Sequence, residues 1–336
     1  MLDAHREIVG EADEVSIIND KIRKLEREKI KYRDQRNAWN KQNYADGRAE
    51  ENYDLLVQKL TEIGRLEFPP VVEHTDIKSD NDVLVVLSDF HIGQDFETIG
   101  GKYNSDIAKE RLGQLANEVI QIKERHGSEN CYISLQGDLL SGNIHKTVQI
   151  TNRENVIDQV KVATELIASF CYKMAQYFDN VYMVSCAGNH SRLEKKEDAL
   201  HDERLDSLVA WAVELSLSSV KNFKYLSRDS LDSGIAMLTI RDKMYLCVHG
   251  DFDAYNKTGL SDLVLYIGQM PYAVVYGHLH TPALDEHAGI KMIRGGSLCG
   301  TGDQYTLEKR LYSKPSQMVC VCNNQGVLCY YPVELE

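Results

Sequence analysis

The chain has 336 residues, 43% of them hydrophobic, and a formal net charge of −13. That length allows one large domain with an appendage or two modest domains, and the acidic balance argues against a polyanion-binding surface spread over the whole molecule. No apolar run approaches the roughly 20 residues that span a bilayer, and the start "MLDAHREIVGEADE" lacks the basic and apolar segments of a signal peptide; a cytoplasmic protein with no membrane contact is expected.

Residues 13–66 read as helix. Val15, Ile18, Ile22 and Leu25 keep a 3-4 stride that Tyr32 and Trp39 continue less regularly, and a second stripe follows at Tyr53, Leu56, Leu60 and Ile63. Asp46-Gly47 between them is a turn signal, so a helical hairpin and a single coiled-coil helix both fit. The segment "KIRKLEREKIKYRDQR" is expected to be a solvated, ion-paired helical face rather than a nucleic-acid contact. Residues 1–68 are therefore expected to serve self-association, most simply as a homodimer. Pro69 and Pro70 end the helix and open a polar linker over 69–81.

From residue 82 to 336 the texture is that of one catalytic domain. Strands are expected at 82–88, 130–136 and 181–185, alternating with helices at 105–125, 152–177 and 198–217. Further strand-like runs follow at 234–239, 243–248, 272–276, 290–294, 318–322 and 327–331. Such alternation followed by strands predicts an α/β domain with a mixed sheet, in two packed layers. The eight cysteines fall mostly in apolar segments and form no C-x-x-C pair, which reads as buried hydrophobes in a reducing compartment.

Polar groups gather where the predicted strands end. "VLVVLSDFHIG" ends in Asp89-x-His91, "CYISLQGDLLSG" in Gly137-Asp138, "VYMVSCAGNHSR" in Gly188-Asn189-His190, "MYLCVHGD" in His249, and "AVVYGHLH" in Gly277-His278-x-His280. Each alone has a plain explanation: an Asp after a strand is usually a turn or cap residue. Five of the predicted strands delivering Asp, His and Asn to the edge where open α/β sheets bind ligands point instead to a metal site. Two divalent ions ~3.5–4 Å apart clamp both sides of an in-line phosphoryl displacement. Imidazole with carboxylate suits manganese, iron or zinc better than calcium.

This ordered set resembles the calcineurin-like metallophosphoesterase superfamily over roughly residues 82–300. The resemblance implies a four-layer α-β-β-α sandwich, here carrying the N-terminal helical hairpin or coiled coil. It implies two divalent metal ions, manganese first, with iron, zinc or magnesium as alternatives. Asp89, His91 and His280 would hold one ion, Asn189, His249 and His278 the other, and Asp138 would bridge them. A bridging hydroxide would attack phosphorus, with His190 at the leaving-group oxygen. Ser191 stands where the superfamily usually has an acid after Gly-Asn-His, and "GDLLSGNIHK" lacks the Asp-Arg-Gly of the protein phosphatases.

Within the superfamily, "GDLLSGNIH", "GNHSR" and the tail "GGSLCGTGDQYTLEKRLYSKPSQ" are similar to phage-encoded members described as DNA-repair-exonuclease-like, of SbcD type. Only 56 residues follow His280, and they read as strands closing the sheet rather than as a capping domain. His145, Asn152 and Arg192 are candidate substrate contacts, with a solvated loop residue as the alternative for each. The expected activity is a metal-dependent phosphodiesterase, a DNA nuclease. The alternatives are a phosphoesterase of nucleotides or cyclic nucleotides, and an assembly protein with a vestigial site.

Overall fold

The computed structural model describes residues 79–144, 150–226 and 231–336, together with Lys21, Lys24, Leu25 and residues 27–36. The chain divides into two compact units, Met1–Glu62 and Ile63–Glu336. In the first, the described residues are helical and exposed, Leu25, Ile30 and Tyr32 among them. The second apolar stripe, the Asp46-Gly47 turn, most of the linker and His145 lie outside the described residues.

The second unit is built on strand β1 (Asp82–Leu87), whose six residues are all buried. Alternate side chains go to opposite faces: Val83, Val85 and Leu87 join one apolar cluster, Leu84 and Val86 another. A strand covered on both sides reads as an uninterrupted apolar run, and "VLVVL" is one. β1 lies parallel to β4 (Asn130–Leu135), which is parallel to β5 (Asn180–Ser185), followed by the short β6 (Phe223–Tyr225). On its other side β1 pairs antiparallel with β12 (Ser316–Asn323), and β12 with β13 (Gly326–Glu334), giving the order β13-β12-β1-β4-β5-β6. The second sheet is five-stranded, in the order β10 (Ala283–His287), β11 (Ile290–Arg294), β9 (Ala273–Tyr276), β8 (Lys243–Val248), β7 (Ile235–Ile240).

Three apolar layers fix the architecture. Helices α1 (Ser105–His126), α2 (Val156–Ala175) and α3 (Leu205–Ser216) cover the outer face of the first sheet through Leu115, Val119, Ile167 and Val209. Between the sheets, Leu84, Val86, Met318 and Cys320 meet Ala236, Tyr245, Cys247 and Ala273. Helix α4 (Lys257–Ile267) covers the second sheet with Leu260 and Leu263. The second unit is thus an α-β-β-α sandwich: the two packed layers follow the sequence pattern, and the four-layer arrangement is the one the resemblance implies.

Several boundaries differ from expectation. Asn155 caps α2 by accepting from the amides of Ile157 and Asp158, so the helix starts at 156 rather than 152. Arg204 is extended and bridges to Arg192, so α3 starts at 205 rather than 198. The segment after His280 divides between both sheets and adds the short helix α5 (Gln304–Glu308). Helix α4 and the hairpin of β2 (Phe96–Thr98) with β3 (Gly101–Tyr103) are not anticipated by the sequence reading. Among the described residues no helix is long and apolar enough to cross a membrane. All eight cysteines are free, and seven are buried.

Candidate metal centre

The five motifs leave parallel strands at their C-terminal ends. β1, β4 and β5 of the first sheet lead into Asp89-x-His91, Asp138 and Asn189-His190, while β8 and β9 of the second lead into His249 and His278-x-His280. The turns are abrupt. Asp89, His91, Asp138, His278 and His280 all have φ between 49° and 66°, a left-handed conformation that costs a non-glycine residue of order 1–3 kcal/mol. They make up five of the nine non-glycine residues with positive φ among the described residues. Strain of that kind persists only where surrounding bonds enforce it. Here the Asp89 amide donates to Gly137 O (3.1 Å) and the His91 amide to Asp138 O (3.0 Å). The His278 amide donates to Asp89 Oδ2 (2.9 Å), and the His190 amide to Asp138 Oδ1 (2.7 Å). Gly188 is required at the last of these loops, since a Cβ there would lie 2.2 Å from Asp138 Oδ1.

The side chains converge in three overlapping trios, the donor atoms of each lying within 4.8 Å of one another: Asp89, His91 and His280; His91, Asp138 and His190; Asp138, His249 and His278. Asp138 and His91 each belong to two of them. In the first, His280 Nε2 lies 3.3 Å from Asp89 Oδ1 and 3.2 Å from His91 Nε2. In the last, His249 Nε2 lies 3.2 Å from Asp138 Oδ2 and 3.2 Å from Asn189 Oδ1, and the rings of His249 and His278 are 5.0 Å apart. All seven predicted ligands are thus brought together.

The charges of the group are mutually dependent. Burial works to raise the Asp138 carboxyl, but His249 and His190 outweigh it and hold it well below the usual carboxylate range. Burial raises Asp89 likewise, and His280 and His249 overcome it. Burial, then His190, pushes His91 down to about 3, so its imidazole is neutral. Burial and then His249 lower His278. Burial opposes the charging of His249, yet Asp138 pushes it up to about 10; Asp89 acts on His280 in the same sense.

This donor set fits divalent cations. Asp89 Oδ1 is fully buried, makes no hydrogen bond of good geometry among the described residues and is faced by the Nε2 atoms of His280 (3.3 Å) and His91 (3.9 Å), a setting that is costly unless a counter-charge completes it. The His249 Nδ1–H donates to Gln136 O (2.6 Å), which fixes the tautomer and turns Nε2 toward Asp138, the arrangement by which backbone carbonyls orient metal-binding imidazoles.

The other predicted contacts sit around this group. His190 Nδ1–H donates to Ser141 O (2.9 Å), and its ring stands edge-on to His91 at 4.7 Å. Asn152 accepts from Ser141 Oγ (2.8 Å) and donates to Gly142 O (3.0 Å), so it braces the loop that holds His190. Arg192 is ion-paired with Asp251. Ser191, in place of the usual acid, donates to Gly188 O (2.7 Å). The sequence reading misses Asp206. Its carboxylate accepts from the amides of Asp138 (3.0 Å), Leu139 (3.2 Å) and Gly188 (2.8 Å), joining two ligand loops, and burial followed by Asp138 pushes it up to about 6. In sequence it is an ordinary acid inside the helix expected at 198–217.

No known family profile matches the sequence. The chain is 19% identical over 223 residues to the SPbeta prophage-derived uncharacterized protein YonJ of Bacillus subtilis, covering 65% of this chain and 54% of that one; the chain therefore spans about half the length of that curated relative. Among solved structures it is similar to vacuolar protein sorting 29 of Cryptosporidium parvum (15% identity, 77% of this chain and 93% of that one, TM-score 0.39). It is also similar to an archaeal phosphodiesterase (12%, 75% and 99%, TM-score 0.36). A third is a zinc complex of Vps29 from Entamoeba histolytica (12%, 76% and 99%, TM-score 0.32).

Proposed function

We propose that the protein is a metal-dependent phosphodiesterase of the metallophosphoesterase superfamily that acts on DNA. The observation that carries this reading is the position of Asp138, whose carboxylate belongs to two donor trios and thereby links candidate ligands from both sheets. Asp89, His91 and His280 would hold one ion, Asn189, His249 and His278 a second, with Asp138 shared. Bound there, divalent ions would supply Lewis-acid polarisation of a phosphate and charge neutralisation on both sides of an in-line displacement.

The chain's own residues do the rest. The Ser141 carbonyl fixes the plane and tautomer of His190 beside the shared carboxylate, where the imidazole binds a phosphate oxygen or hands a proton to the leaving group. Asp206 keeps the Asp138 and Gly188 loops in register.

The test is hydrolysis of single-stranded DNA, duplex DNA and bis-p-nitrophenyl phosphate by the purified chain loaded in turn with manganese, iron, zinc and magnesium. Turnover of all three that Asp138→Asn abolishes is the expected result. Turnover of the small diester alone ends the DNA reading. No turnover with any metal, or an Asp138→Asn variant at the wild-type rate, ends the phosphodiesterase reading.

A further inference from the structure

A cavity of about 180 Å³ adjoins the His249 side of the centre, lined among others by His201, Arg204, Asp232, Asp251, Phe252 and Asp253. We propose that it is a nucleobase subsite, taking the base of the nucleotide whose phosphate lies at the metal centre. This rests on the phosphodiesterase reading for the position of the phosphate, but not for the chemistry of the cavity.

Size comes first. A cavity of ~150 Å³ holds a benzene ring, whereas pockets for drug-sized ligands begin at ~300 Å³. The cavity therefore admits one flat heterocycle and little more. Charge comes next. Three aspartates on the wall outnumber its one arginine, Arg204, so the cavity lacks the surplus of cations that a phosphate calls for, and an uncharged part of the substrate fits it better.

The polar groups then select among uncharged rings. Arg204 is only 9% exposed, and its Nη1 has no hydrogen-bond partner among the described residues. A buried guanidinium nitrogen left unpaired is costly, and it calls for a carbonyl or ring-nitrogen acceptor on the ligand. Two of the three acids are engaged: Asp251 with Arg192, and Asp232 with the amides of Gly234 (2.7 Å) and Ile235 (2.9 Å). Asp253 makes no hydrogen bond among the described residues, and burial together with Asp251 raises its carboxyl. It is the group left to receive an N–H.

A ring that accepts at one end and donates at the other has the edge of a nucleobase. Arginine pairs with the guanine acceptors and carboxylates with the cytosine amino group, so bases with an amino group beside an acceptor fit better than thymine. Phe252, 58% exposed, supplies an aromatic face of the kind on which bases stack. Lys196 Nζ lies 5.2 Å from its ring centre, a cation suited to a flanking phosphate. A quaternary-ammonium headgroup also favours aromatic and acidic walls, but here it would face Arg204.

Binding to the metal-free full-length chain tests the assignment apart from turnover. Calorimetric titrations with guanosine, cytidine, thymidine and choline are expected to show guanosine or cytidine binding at least fivefold tighter than thymidine, and no choline binding. Arg204→Met and Phe252→Ala should each weaken the favoured nucleoside tenfold or more; Phe252 is exposed, so the second variant folds even if the first does not. No nucleoside binding, equal affinity for all three nucleosides, or choline as the tightest ligand overturns the proposal. Nucleoside binding with no hydrolysis of any diester sinks the phosphodiesterase reading and leaves the subsite standing; hydrolysis of the small diester with no nucleoside binding does the reverse.

Discussion

Asp206 receives three backbone N–H groups from two of the donor-bearing loops at once, and among the described residues no other residue outside the donor trios ties as many of their amides together. Truncating it would strand three buried donors, each worth ~1–3 kcal/mol when left unpaired. Asp206→Ala is expected to lower the unfolding free energy of the metal-free protein by on the order of 3 kcal/mol, read as a shift in urea midpoint, and to weaken metal uptake in equilibrium dialysis. Ser191 explains the other local departure. Its hydroxyl donates to the Gly188 carbonyl in a fully buried position, where an ionised carboxylate would have nothing to donate. Asp206 was not legible because its role depends on where α3 begins relative to β4 and β5, and spacing along the chain carries no trace of that. The clustered donors were legible because each follows closely on an apolar run, so strand and donor are read together.

Element by element, legibility follows length. β1, β4, β5, β8 and β12 are buried runs of six to eight residues, and such runs announce themselves. β2, β3 and β6 have three residues each, too few for any period to show. Helix α4 had the signals: Asn256 caps it by accepting from Thr258 N and Gly259 N, and Gly268 ends it in a left-handed turn. Its apolar residues, Leu260, Leu263, Val264 and Ile267, keep helical spacing, but the run "LVLYI" passes as readily for a strand. The helix covers the outer face of the sheet that carries His249 and His278. Leu263→Ala, at a position 2% exposed, is expected to cost about 2–5 kcal/mol in chemical denaturation, with no loss of cooperativity.

On the scale of the whole molecule, two expectations concern what is bound and what is joined. Chelation leaves buried carboxylates and imidazoles facing one another without their common counter-charge. Metal is expected to stabilise the fold by about 2.7 kcal/mol at a concentration a hundred times its dissociation constant. Differential scanning calorimetry should therefore show a midpoint that rises with added manganese and falls with chelator; an unmoved midpoint would contradict the cation fit. The second compact unit has its own three apolar layers, so removing residues 1–66 is expected to reduce the particle mass in light scattering from dimer to monomer. The rate on a small diester should change less than twofold.

The donors come from two different sheets, and the apolar filling between those sheets helps set how far apart the two contingents stand. Ala236, Ala273, Cys247 and Cys320 make that filling thin. The separation of the two sets of donors is consequently calibrated by side chains outside the centre: a methylene added at Ala273 would wedge the halves apart, and the donor geometry would register the error before the fold did.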